Sequence, residues 1–183
     1  SRRNDLGHVD IPRLEEGGVN LQIFASFVPS QLPRSRALPW TNELLDELHE
    51  MAEANADRVS ICLDADQVRA TVENGKIAVV MSIENGFAIT DDLDNLEHFY
   101  RRGVRSMTLT HVKSHAWCSS STDHNSTFDG LTDFGREVVR RMNALGMLVD
   151  EVNEILHIEP QNMQKTPEFG TEIRPEFIEY MGR

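Results

Sequence analysis

Apolar positions along the chain alternate between short β-branched runs and longer stretches of helical period, the pattern of a parallel α/β protein. The run 19–28, VNLQIFASFV, predicts a first strand entered through Gly17 and Gly18. After a proline-rich connection, Thr41 is placed to cap a helix with Leu44, Leu45, Leu48, Met51 and Ala52 on one face. A second helix begins near Asp64, whose spacing to Gln67 resembles a capping box, and ends at Asn74 and Gly75. Residues 77–83 read as the second strand. The stretch 90–103 gives a helix with Leu93, Leu96, Phe99 and Tyr100 inward, acids in its first turn and basic residues in its last, as the macrodipole favours. Residues 104–110 form the third strand. A polar loop of about twenty residues follows, too long for a mere connector and therefore a candidate functional loop. Thr132 then caps a helix with Phe134, Val138, Met142 and Leu145 on one face, Gly146 ends it, and 147–150 is a short fourth strand.

In folds of this kind the polar ends of parallel strands gather at the carboxyl edge of the sheet, where α/β enzymes place their chemistry. Three strand ends here carry suggestive groups: Glu84 after VVMSI, His111 after MTLT and Asp150 after MLV. A carboxylate aimed out of so apolar a segment as 76–83 is costly unless something neutralises it, and a divalent cation is one answer. Taken alone, a strand-end acid such as Asp150 more often caps a neighbouring helix, and a strand-end histidine is more often a satisfied rim residue. Within the long loop, His115 and His124 read as solvated, Trp117 as a residue that packs the loop down, and residues 119–122, SSST, as a flexible stretch. Cys118 lacks a convincing base–nucleophile arrangement nearby in sequence, so covalent catalysis gains little support.

Composition narrows the classes further. With 183 residues, 39% hydrophobic and 26% charged, the chain is long enough for one sizeable core. Thirty acidic against 18 basic side chains give a net charge of −12, which repels phosphate backbones and argues against nucleic acid as a partner. The two cysteines form no CxxC, so neither a disulfide framework nor a zinc knuckle is suggested. No apolar run reaches the roughly 18 residues a transmembrane span requires, and the opening SRRNDLGHVD does not read as a signal peptide.

The phrases GHVDIPRLEEGGVNLQIFASFVP, GKIAVVMSIENGFAI, FYRRGVRSMTLTHVKSHAWCSSST and GLTDFGREVVRRMNALGMLVD, in this order and spacing, resemble the membrane (renal) dipeptidase family of zinc peptidases. The resemblance covers about residues 8–150. It implies a (β/α)8 TIM barrel of which residues 1–150 are the second to fifth strand–helix units, followed by a polar tail over 151–183. It implies also a two-zinc centre at the carboxyl end, where a metal-activated water attacks the peptide bond of a dipeptide. In that family the glutamate of the IENG phrase bridges the two zinc ions, which corresponds to Glu84, and the histidine of the LTH phrase contacts substrate and helps stabilise the tetrahedral intermediate, which corresponds to His111. The family's remaining ligands, a His-x-Asp on the first strand and histidines after the fifth and sixth, have no clear counterpart. His8 and Asp10 imitate the first but follow a polar stretch rather than a strand. His157 lies seven residues past Asp150, about 10 Å if helical. Two readings of different class follow: a zinc dipeptidase represented by an incomplete chain, or a non-catalytic barrel fragment that associates through its open edges, for example as a homodimer closing four strands onto four. Another metal-dependent hydrolase on the same barrel is the third.

Overall fold

The computed structural model describes Arg3 and residues 7–150; the tail 151–183, with His157, lies outside the described residues. The elements run α1 (Ile11–Glu16), β1 (Leu21–Phe27), α2 (Arg34–Ala54), β2 (Val59–Ile61), α3 (Ala65–Glu73), β3 (Ile77–Glu84), a 3₁₀ turn (Gly86–Ile89), α4 (Leu93–Arg101), β4 (Val104–Thr108), α5 (Asp133–Leu145) and β5 (Leu148–Asp150). Most helix ends carry the chemistry expected of them. Asp64 caps α3 by accepting from Gln67 N–H at 2.8 Å, while Gln67 Oε1 reaches back to Leu63 N–H at 3.0 Å. Thr132 caps α5, and Gly146 ends it at φ 73°, a left-handed turn that favours glycine.

Two expectations are corrected here. Helix α2 starts at Arg34 rather than Thr41, with Pro39 inside it, and Thr41 is buried with its hydroxyl donating to Ala37 O at 2.9 Å. Pro39 is the sixth residue of the helix and forgoes one backbone bond, the one an N–H there would make to Ser35 O. The short strand β2 and the helix α1 were not expected; α1 takes Asp10 as its N-cap, accepting from Arg13 N–H. That cap removes Asp10 as a metal-ligand imitation, and His8 beside it is exposed.

All strand pairs are parallel, with neighbours in the order β1-β3-β4-β5. Neighbours that follow chain order make a barrel wall, whereas a doubly wound sheet reverses its order. Strand β3 bonds β1 through Ala78 and Glu84, and bonds β2 through Ile77 and Val79. Alternate residues of a strand address opposite edges, so β2 lies along the first half of one edge. From Met81 onward β4 pairs with β3 instead. The register shifts between Met81 and Ser82: Met81 pairs with Val104, but Ser82 pairs with Ser106. The extra residue, Arg105, makes a bulge, and its guanidinium donates to Leu63 O at 2.8 Å and Tyr100 O at 2.9 Å while lying 4.1 Å over the Tyr100 ring.

That bulge sorts β4 between two faces. Val104 and Met107 join Val28, Leu45, Met81, Ile83, Leu96, Phe99, Val138 and Met142 in the core beneath α2, α4 and α5. Each such fully buried side chain contributes about 1.5–3 kcal/mol, against about 0–1 kcal/mol for an exposed ion pair, so this cluster rather than the surface arginine–carboxylate pairs holds the fold. The opposite face carries Ala25 and Phe27, Ser82 and Glu84, Ser106 and Thr108, Leu148 and Asp150. It is the polar-tipped face of the wall, and Ile23 and Phe27 on it are each 39% exposed.

Candidate functional site

The strand registers align one row across the carboxyl edge: Phe27 opposite Glu84, Glu84 opposite Thr108, Thr108 opposite Asp150. Strand spacing of about 4.8 Å puts Glu84 and Asp150 about 10 Å apart on the same face. They do not meet directly. Asp150 instead accepts from Thr108 Oγ1 at 2.6 Å, so it ties two neighbouring strand ends, and it caps none of the helices among the described residues.

Glu84 meets His111. The imidazole Nε2 lies 3.1 Å from Glu84 Oε1, with the two side chains 28% and 36% exposed. The His111 ring also stands edge-on to Phe27, centroids 5.1 Å apart, and its Nδ1 is buried without a partner among the described residues. The two residues singled out at strand ends are thus brought into contact at the mouth of the wall. Among the described residues no group of three or more His, Cys, Asp or Glu side chains is arranged to hold a metal ion.

The backbone behind this contact is tightly set. Asn85 is fully buried at φ 91°; its amide donates to Val28 O at 2.9 Å and to Ser30 Oγ at 3.2 Å, and its Oδ1 accepts from Phe87 N–H at 3.2 Å. It therefore laces the end of β1 to the end of β3. Gly86 follows because nothing larger fits: a Cβ there would lie 2.6 Å from Trp117 Cη2 and 2.7 Å from Leu109 O. Sequence reasoning missed Asn85, whose signal was an Asn-Gly pair at a strand end, where asparagine tolerates positive φ.

The loop after β4 is more ordered than its composition suggests. Trp117 is 1% exposed and does pack the loop down. Ser119 and Ser120 are fully buried, Ser119 exchanging bonds with Gly130 at 2.9 and 2.6 Å and Ser120 N–H donating to Ser114 Oγ at 2.9 Å, so the SSST run is no flexible stretch. Asp123 draws the loop together by accepting from Ser114 N–H at 3.0 Å and from Lys113 Nζ at 3.4 Å, and these donors hold its carboxyl below the usual range. His124 is exposed as expected, but His115 is not solvated. Its ring stands edge-on to Trp117 at 4.5 Å, faces Phe87 at 6.3 Å, and bonds Leu109 O through Nε2 at 2.9 Å. Burial pushes its pKa down, outweighing the Leu109 bond and the charge of Asp91. Both cysteines are buried and form no disulfide.

No helix among the described residues is long and apolar enough to cross a membrane. In sequence the chain is 32% identical over 148 residues to Dipeptidase 3 of Mus musculus, covering 79% of this chain and 29% of that protein. It is 31% identical over 152 residues to Dipeptidase tcpJ of Claviceps purpurea (strain 20.1), covering 79% and 36%. The chain thus spans about a third of the length of these curated relatives. Among solved structures, the probable dipeptidase PvdM of Pseudomonas aeruginosa superimposes with a TM-score of 0.77 at 26% identity, over 84% of this chain and 42% of that one. A metallo peptidase from Rhodobacter sphaeroides, liganded with a phosphinate mimic of the dipeptide L-Ala-D-Ala, gives 0.73 at 26% identity, over 80% and 50%. The wall is accordingly part of the TIM barrel of these metallopeptidases. With the family profile matching residues 1–163, the chain belongs to the membrane dipeptidase family, peptidase family M19.

Proposed function

We propose that this chain is the second-to-fifth strand portion of a zinc-dependent dipeptidase barrel, in which Glu84 is the bridging ligand of a two-zinc centre and His111 faces the dipeptide and its tetrahedral intermediate. The observation that carries the reading is the 3.1 Å Glu84–His111 contact at the carboxyl edge of a wall built in barrel order, in a chain of this family. The dipeptide mimic bound by the Rhodobacter relative supports the substrate class.

The described residues fit such a centre only in part. They offer Glu84, partly exposed and in contact with the His111 imidazole, but no set of three or more ligating groups around it among the described residues. No hydrolytic step is therefore routed through a metal on these residues alone. What they do by themselves is orient: Asn85 fixes the strand end that presents the carboxylate, and His111 holds that carboxylate from one side. The first experiment is zinc stoichiometry after dialysis, by elemental analysis, on the chain and on Glu84→Gln, followed by a dipeptide hydrolysis assay. Loss of zinc and of hydrolysis in the variant is expected; equal zinc in both removes the ligand assignment.

The exposure of Ile23 and Phe27 on the polar-tipped face favours a second reading, in which the chain associates through that face, with a second copy as partner. Size-exclusion chromatography showing a monomer at every concentration would remove it.

A further inference from the structure

His115 links the two segments that carry the site. Leu109 stands two residues before His111, and both of its backbone polar groups are committed: its N–H donates to Asp150 O at 3.2 Å, and its carbonyl accepts from His115 Nε2 at 2.9 Å. The same carbonyl is what a side chain at Gly86 would strike, two residues after Glu84. Trp117 closes the set, with its ring edge against Gly86 and its face toward the edge of His115. Leu109, Gly86, Trp117 and His115 therefore form one packed node spanning the segments 84–86 and 109–111.

The hydrogen bond fixes which ring nitrogen must carry a proton, and burial, which disfavours the charged form, leaves the other bare. A carbonyl oxygen only accepts, so Nε2 carries the proton, and Nδ1 keeps its lone pair, which is buried without a partner among the described residues. An apolar side chain of similar size would fill the space but leave the Leu109 carbonyl without this donor.

We propose that His115 is a positioning residue for His111: a neutral imidazole that donates Nε2–H to the Leu109 carbonyl and so holds the short tether on which His111 meets Glu84. The proposal rests on the reading of His111 as the substrate-facing group, but its test does not use turnover.

The test is NMR of the 183-residue chain with ¹⁵N,¹³C-labelled histidine at neutral pH, on the unmodified chain, on His115→Gln, whose amide places a donor near the same point, and on His115→Phe, which keeps a ring and loses the donor. In the unmodified chain His115 should show the Nε2–H tautomer. The His111 ring resonances, displaced by the edge contact with Phe27 at 5.1 Å, should move toward those of a freely exposed imidazole in His115→Phe and stay near their original positions in His115→Gln. A thermal melt of each variant separates this from general loosening, which would shift both alike. An Nδ1–H tautomer in the unmodified chain overturns the proposal, as does a folded His115→Phe chain whose His111 resonances are unmoved. The tautomer is read without any variant, so it decides even where a substitution prevents folding. A chain that fails to bind zinc or cleave dipeptides would sink the enzymatic reading and leave these outcomes as they are.

Discussion

Asn85 holds a positive φ with no glycine's freedom, and its amide is what compensates. One buried side chain donates to Val28 O and Ser30 Oγ and accepts from Phe87 N–H, joining strand ends that are 57 residues apart in the chain. Asn85→Ala keeps the awkward backbone and strands the buried Val28 carbonyl, so it is expected to cost about 1–3 kcal/mol for the unpaired group alone. A urea unfolding midpoint unchanged from the original would show that the lacing is idle. This residue also marks the limit of what could be read from the sequence. Glu84 and His111 were legible because each is a polar residue at the end of an apolar run, a strictly local signal. Asn85 and His115 were not, because their roles are set by Val28, Leu109 and Trp117, and nothing in the residues beside them announces a partner brought close only by the fold.

Elements were legible where periodicity and capping agreed. The helices at Ala65–Glu73 and Asp133–Leu145 carry the caps expected of them, since Asp64 and Thr132 each sit just before an amphipathic run, while the helix expected over 90–103 is shorter, Leu93–Arg101, and is capped by Asp92. Helix α2 reads eight residues short because Pro39 looks like a breaker, and β2 escapes notice because three residues are too few to show a period of two. The loop after β4 reads as too soft, its polar composition concealing how many of its serines bond inward. Its behaviour with pH follows from two groups. The folded-state pKa of His115 lies below its unfolded value, so its neutral form is favoured by folding; that contribution is complete above about pH 6.5 and is lost as pH falls toward the lower folded value. Asp123, also depressed, keeps its contribution until pH drops through its own lowered carboxylate value. Between pH 7 and 5, therefore, acid acts on the loop chiefly through His115. Hydrogen exchange over residues 109–131, corrected for intrinsic rate, is expected to quicken across that interval relative to β3, and equal protection at both ends would contradict it. A local readout is needed because His98 on α4, pushed down by burial and then by Arg102 and Arg101, titrates in the same direction while bonding Asn42 at 2.8 Å on the far side of the core.

At the scale of the molecule, the face that carries Glu84 is buried at Ala78 and Val80 beneath Val68 of α3, while Ile23 and Phe27 of β1 on that face stay partly exposed. If association proceeds through that face, Phe27→Lys should move the chromatographic peak toward the monomer while leaving the far-ultraviolet circular dichroism intact, since the side chain is not part of the main core. An oligomer that persists in the variant would place the contact elsewhere. The way β3 is flanked has a further geometric meaning. Its one edge belongs wholly to β1, and its other is divided between β2 and β4, with Arg105 at the junction. No vacancy is left beside Glu84 itself, so any strand that joins this wall must join outside β1 or β5, and the side chain it adds to the row lands beyond Phe27 or beyond Asp150. A side chain added on either flank then approaches Glu84 across the row, over the Phe27 and His111 rings on one side or past the Thr108–Asp150 bond on the other, which makes those two pairs the gateposts of this strand end.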